Sequence, residues 1–226
     1  MNVKNLMNGK KGGMNMLKIE LYPKTERISI NGEKIQITEK LDGSNLVIFK
    51  FLGDIYFAQR KTILKFEELE ENKQILYKGL LDWANAHIDI LKEELYEGSC
   101  LCGEWLGMGK LKYTVDEFDK RFYMFAKARI DEGFKLSNIN YNHDQFIYPF
   151  NSQVMPDFIG IVPVVCNIVY LPQKRDLDRI YDKYCEKTNR PVEGFVINFH
   201  NIITKYVRMK NGKLVEYSDN DHKGAN

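Results

Sequence analysis

Lys40 closes the apolar-polar run Ile35-Gln36-Ile37 and opens the turn Leu41-Asp42-Gly43-Ser44-Asn45, just before the apolar stretch Leu46-Val47-Ile48-Phe49. A lysine held in a Gly-containing turn between two strands sits at a sheet edge with little freedom. That placement suits an amine nucleophile offered to a phosphorus centre. With an ordinary pKa near about 10.4, only a few parts in ten thousand of a lysine are free amine at pH 7. A nucleophilic lysine therefore needs desolvation or neighbouring cations. An exposed turn lysine beside Asp42 has the same short Lys-x-Asp-Gly pattern, so the turn alone does not decide between the two readings. A second group of cations lies far downstream, where Arg208 and Lys210 share one face of an extended run 202–210 and Lys205 falls on the other, because strand side chains alternate.

The elements that must position these groups are mostly strands. Runs 27–30 and 34–37 flank Asn31-Gly32, and runs 46–51 and 55–59 flank Leu52-Gly53-Asp54; both read as hairpins. Leu76, Leu80, Ala84, Ile88, Leu91 and Leu95 recur at steps of three and four, which predicts an amphipathic helix. Strand-like runs follow at 99–106, 121–130 and 161–165. A second helix is expected over 176–187. The chain then returns to strands at 194–199, 202–210 and 213–217, the last two joined through Asn211-Gly212. The cluster Glu67-Glu68-Leu69-Glu70-Glu71 reads as a helix start favoured by the dipole. Trp83 reads as core and His87 as structural. This pattern predicts an α+β fold, with antiparallel sheets flanking a cleft and helices packed outside.

Composition sets the bounds. The 226 residues suffice for one large domain or two small ones, and no repeat or Pro-rich linker divides them. A formal net charge of +2 implies no wholesale nucleic-acid binding by bulk charge, so any basic surface is a local patch. Cys100, Cys102, Cys166 and Cys185 lack zinc-site spacing and read as reduced thiols, which places the protein in a cytoplasm, the host's if it is viral. No apolar run is long enough to span a membrane. Residues 1–13 read as a loose tail.

The blocks around Lys40 resemble the motifs of the covalent nucleotidyltransferases, the superfamily of RNA ligases, DNA ligases and mRNA capping enzymes. Lys40-Leu41-Asp42-Gly43-Ser44-Asn45 resembles motif I, Gly103-Glu104-Trp105-Leu106-Gly107 motif III and Arg121-Phe122-Tyr123-Met124-Phe125 motif IIIa. Glu193-Gly194-Phe195-Val196-Ile197 resembles motif IV and Arg208-Met209-Lys210-Asn211-Gly212-Lys213 motif V. They occur in the family's order from Glu39 to Lys213. Within the superfamily the match is to RNA ligases that seal nicks in double-stranded RNA. Asn45 is one discriminator, since DNA ligases typically carry Arg there.

The resemblance implies an ATP-dependent RNA ligase with the superfamily's adenylyltransferase fold, of the ATP-grasp-like ligase type. Lys40 would attack the α-phosphate of ATP and carry AMP to a 5′-phosphate RNA end, which a neighbouring 3′-OH then attacks. Glu104 would bind the ribose, Phe125 would stack on adenine and the carbonyl of Glu39 would read its amino group. Arg60 and Asn45 would hold the phosphate and the incoming RNA end. Glu193 would act near phosphate and a Mg²⁺ or Mn²⁺ ion, and Arg208 and Lys210 would neutralise phosphate charge, with Lys205 as the fallback. Motif V departs from the family's Lys-x-Lys, because Arg208 stands first and Arg is not interchangeable with Lys. Asp42 either orients the turn or touches nucleotide. Taken alone, Glu104, Glu193 and Phe125 also read as a surface carboxylate, a turn carboxylate and core packing. The implied organisation is a single catalytic domain over 1–226 with no C-terminal OB or helical domain, which would call for an accessory RNA-binding protein. A capping guanylyltransferase, a DNA ligase and a non-catalytic nucleotide-binding module are the alternatives.

Overall fold

The computed structural model describes residues 34–59, 62–199, 202–210 and 213–214. β1 (Ile35–Lys40) runs into the Lys40 turn, and β2 (Ser44–Phe51), β3 (Asp54–Gln59) and β4 (Thr62–Lys65) follow as a meander. α1 (Leu80–Glu94) leads to β5 (Ser99–Trp105), β6 (Phe122–Ile130) and β7 (Leu136–Asn140). The short β8 (Ile159–Ile161) and β9 (Val164–Ile168) precede α2 (Lys174–Thr188). β10 (Gly194–Phe199), β11 (Ile202–Val207), β12 (Met209–Lys210) and β13 (Lys213–Leu214) end the described chain.

The larger strands make two sheets. One has seven strands in the order β4-β3-β2-β5-β6-β7, with β8 added in parallel to β6. The other has four, in the order β11-β10-β1-β9, all antiparallel. Period-two alternation gives each sheet an apolar face for its helix. Leu46, Ile48, Ile55, Phe57 and Leu101 pack with Trp83, Ile88 and Leu91 of α1. Ile35, Ile37, Phe195, Ile197 and Tyr206 pack with Leu177 and Tyr181 of α2. The other faces look inward: Ile203 of β11 reaches Val47, Phe49 and Cys102 of the larger sheet's core. The α+β reading with outer helices is therefore what the chain adopts.

Several boundaries differ, each for a local reason. The expected strand 161–165 is two strands, split at Val162-Pro163. The chain there changes sheets, because Val162 donates to Met124 O (3.0 Å) while Pro163, which has no N–H, accepts from Glu39 N (2.9 Å). α1 starts at Leu80 rather than Leu76, because Gly79 takes a left-handed φ of 78° and breaks the turn before it. Glu67 and Glu68 fall in a 3-10 turn, Phe66–Glu68, where the Glu68 carboxylate accepts from Lys65 N (2.8 Å) instead of opening a long helix. The expected hairpin of 27–30 with 34–37 lies partly outside the described residues. Run 27–30 is not among the described residues; β1 pairs β9 from Ile35 to Thr38 and β10 from Gln36 to Lys40. The tail 1–13 lies outside the described residues as well. Trp83 is core, edge-on to Trp105 and Phe158. His87 stacks on Phe158 at 3.9 Å, and its burial holds its pKa below the usual value.

Candidate active site

Alternation along β1 separates two jobs. Ile35, Ile37 and Glu39 face α2, whereas Gln36, Thr38 and Lys40 face the inter-sheet cleft. Lys40 ends the strand opposite Gly194 of β10. Its Nζ lies 2.7 Å from Glu193 Oε2, and the two side chains are 26% and 16% exposed. Glu193 is fixed in turn, because its carbonyl accepts from both Arg208 N and Met209 N at 2.9 Å. Burial pushes its carboxyl pKa up, and the nearby Lys40 and Lys205 charges pull against that. Gly194 has to be glycine: a Cβ there would run into the Tyr206 carbonyl of β11.

Asp42 orients the turn. Its Oδ2 accepts from Lys110 N (2.6 Å) and Leu111 N (2.7 Å), and its own N–H donates to Tyr113 Oη (2.7 Å). The segment after β5 is thereby clamped onto the nucleophile's turn. Gly109 lies against the Asp42 backbone there, where no side chain would fit.

Asn45 and Glu104 sit opposite each other on β2 and β5. The Asn45 carbonyl accepts from Tyr77 Oη (2.9 Å). Burial pushes the Glu104 carboxyl up to about 7, against the lowering effects of Lys40 and the Gly43 N–H and with a further push from Glu193. In the unfolded chain the same group titrates near its ordinary 4.5. Between those values the native state holds a proton that the unfolded state has shed, so folding stability falls as pH rises through the window. The full shift is worth about 3 kcal/mol, less whatever solvent in the cleft screens. Glu104→Gln removes the titration. Urea unfolding at pH 5 and pH 8 is expected to show the variant gaining on the wild type as pH rises; a gap that stays constant with pH would refute the assignment.

Phe125 lies at a β-bulge of β6. Cys102 faces Ala126 and Gly103 faces Met124, so Phe125 is the extra residue on β6. Phe122 and Met124 face the α1 core, so alternation puts Phe125 on the inward face, and the bulge brings Ala126 to that face as well. The Phe125 ring is half-buried there and parallel to Tyr141 within 4°, with centroids 6.4 Å apart. His143 Nε2 lies 3.0 Å from the Phe125 carbonyl.

Arg208 pairs with a helix carboxylate. Arg208 Nη1 lies 2.6 Å from Asp178 Oδ1 of α2 and 3.1 Å from Tyr206 Oη, with the guanidinium 5.2 Å over the Tyr181 ring. Arg208 thus faces the helix, not the cleft, and the expectation of a cleft-facing Arg208 is corrected. Lys205, the fallback, is exposed on the opposite face of β11, opposite Val196, and its charge acts on Glu193. Lys210 lies in β12 opposite Lys213. Arg60 lies outside the described residues.

Arg190 is the residue that sequence reading missed. Glu39, next to Lys40, turns its side chain away from the cleft and buries it completely. Arg190 Nη1 and Nη2 each approach a Glu39 carboxylate oxygen at 2.6 Å, and Tyr184 Oη donates to the same carboxylate at 2.7 Å. A carboxylate on the apolar, helix-facing side of a strand needs a buried cation, but the sequence does not say which of the distant cations supplies it.

The site the fold builds is thus a strand-end lysine ion-paired to a largely buried carboxylate between two antiparallel sheets, with further carboxylate, aromatic and cationic side chains around it. The family model described as RNA ligase matches residues 33–207, and the chain belongs to that family. No curated protein matches it. Similar solved structures include a Naegleria gruberi RNA ligase mutant with ATP and Mn, 18% identical over 78% of this chain and 50% of that one, with a TM-score of 0.45. Another mutant of that ligase, with AMP and Mn, is 19% identical over the same shares, also with a TM-score of 0.45. An archaeal ATP-dependent RNA ligase is 13% identical over 82% of this chain and 48% of that one, again with a TM-score of 0.45. The chain spans about half the length of these ligases.

Proposed function

We propose that this chain is the adenylylating domain of an ATP-dependent RNA ligase that joins 3′-OH and 5′-phosphate RNA ends. The carrying observation is the Lys40–Glu193 contact of 2.7 Å inside a cleft that also holds Glu104 and Lys205. Lys40 Nζ attacks the α-phosphorus of ATP. The N–P bond forms, the bond to the bridging oxygen breaks and diphosphate leaves. Only the neutral amine attacks, so Nζ gives up its ammonium proton to solvent before the N–P bond forms, with Glu193 at 2.7 Å holding Nζ in place. AMP then moves from Lys40 to the RNA 5′-phosphate, and a 3′-OH displaces it. Lys205 faces the charge that develops on the phosphoryl oxygens, and Phe125 offers a flat face to the base.

Among the described residues no cluster of three metal-ligating side chains occurs. Mg²⁺ or Mn²⁺ would be held by one carboxylate and the substrate phosphates, with Glu193 as the oxygen donor. When bound, the ion would neutralise charge on the transferring phosphoryl group. No described helix is long and apolar enough to cross a membrane.

The test is incubation of the purified chain with labelled ATP or GTP and divalent metal, followed by presentation of nicked RNA and DNA duplexes. The expected result is a covalent AMP adduct mapped to Lys40 and transfer to RNA ends. Labelling by GTP alone would turn the reading to a capping-type transferase, and transfer only to DNA would turn it to a DNA ligase. A folded protein that binds ATP without forming an adduct would be a nucleotide-binding module.

A further inference from the structure

Three segments of the site meet at one buried guanidinium. Arg190 grips Glu39 through both terminal nitrogens, its Nε lies 3.3 Å from Glu117 Oε1, and its plane sits 4.8 Å over the Phe118 ring. The Arg190 and Glu39 side chains are 9% and 0% exposed. Glu39 is bonded directly to Lys40. Glu117 and Phe118 continue the segment that Tyr113 and the Lys110 and Leu111 amides clamp onto Asp42. Arg190 itself begins the short link Arg190-Pro191-Val192 to Glu193, which Tyr181 Oη fixes by donating to the Val192 carbonyl at 2.7 Å.

Stability alone does not explain a charge pair at this depth. Desolvating both ions offsets most of their attraction, and well-packed apolar side chains of similar volume do as well or better. The planar fork of an arginine on a carboxylate instead fixes angle as well as distance. We propose that Arg190 is a positioning residue for the nucleophile: through Glu39 on one side and the link to Glu193 on the other, it sets Lys40 against Glu193. This rests on the reading of Lys40 as nucleophile. A displacement of about 1 Å at a reacting group costs on the order of 100-fold in rate.

The experiment replaces the pair by apolar residues, Glu39→Met with Arg190→Met, so that neither partner is left as a lone buried charge, while Glu117, 26% exposed, keeps its hydrogen bonds from Thr114 N and Oγ1. The variant is expected to fold with its melting midpoint near the wild type's. Its first-order rate of AMP-adduct formation is expected to fall about 100-fold, with the KM for ATP within about threefold. Lys40 acylation by a neutral amine-reactive reagent, followed by mass spectrometry at one pH without ATP, is expected to speed up severalfold as the Lys40–Glu193 contact loosens. Unchanged acylation of Lys40 in the folded variant overturns the assignment, as does an effect confined to KM. Arg190→Lys, which keeps a cation beside Glu39 but loses the fork, gives the same comparison if the double variant does not fold. A wild type that forms no adduct would sink the ligase reading, while the acylation comparison would still decide the role of Arg190.

Discussion

Lys40→Ala is expected to lose the AMP adduct altogether, with self-adenylylation down by on the order of 10⁵-fold or more, because no other group takes over a covalent step. Stability should change by no more than about 1 kcal/mol, since the Lys40–Glu193 pair is partly open to solvent. Lys40→Arg sharpens the test. A guanidinium keeps the charge beside Glu193 but does not shed its proton, so that variant should fold like the wild type and stay inactive. Two assays separate chemistry from binding: intact-mass measurement of the adduct, and sealing of RNA whose 5′ end already carries AMP. The second bypasses the nucleophile, so Lys40→Ala should retain more of it than of overall ligation. An adduct of normal yield on the Lys40→Ala protein would overturn the site.

How much of this was legible beforehand differs from residue to residue. Lys40, Asp42 and Gly43 were readable because a turn between two strands is a local event, and local propensity decides it. α1 was readable from its 3.6 period, except for its start, which one left-handed glycine sets. The crossing at Val162-Pro163 was not readable. A short apolar run looks the same whether it stays in one sheet or passes to the next, and only the partners Met124 and Glu39 tell them apart. Arg190 was hidden for a related reason. Its importance comes from Glu39, 151 residues away in sequence, and from burial that composition does not reveal. The Phe125 bulge depends on register against β5, which the β6 sequence does not carry by itself.

The division of labour between Lys205 and Arg208 gives the second large effect. Alternation along the strand correctly separates the two side chains, but it does not say which face is the cleft. That is settled by α2, whose Leu177 and Tyr181 cover the face that Tyr206 shares. Arg208 follows Tyr206 to that side and meets Asp178, whose carboxyl is held below its usual range first by the Tyr206 hydroxyl and then by Lys174 and Arg208. Arg208→Ala should therefore act mainly on folding. It loses a charge-assisted hydrogen bond and the stacking over Tyr181, a cost of about 1–2 kcal/mol after allowance for partial exposure. Its adduct rate, measured well below the melting transition, should stay within about tenfold of the wild type's. Lys205→Ala removes an exposed side chain, so its stability should shift by less than about 0.5 kcal/mol. It also removes a cation that, besides Lys40, acts on Glu193 and would face the developing phosphoryl charge, so adduct formation should fall by about 100-fold. Urea unfolding paired with single-turnover adenylylation reads both quantities on both variants. If instead Arg208→Ala loses the rate and Lys205→Ala keeps it, the guanidinium must leave Asp178 when ATP binds. The Arg208–Asp178 pair would then be a contact of the nucleotide-free state, which Asp178→Ala would release.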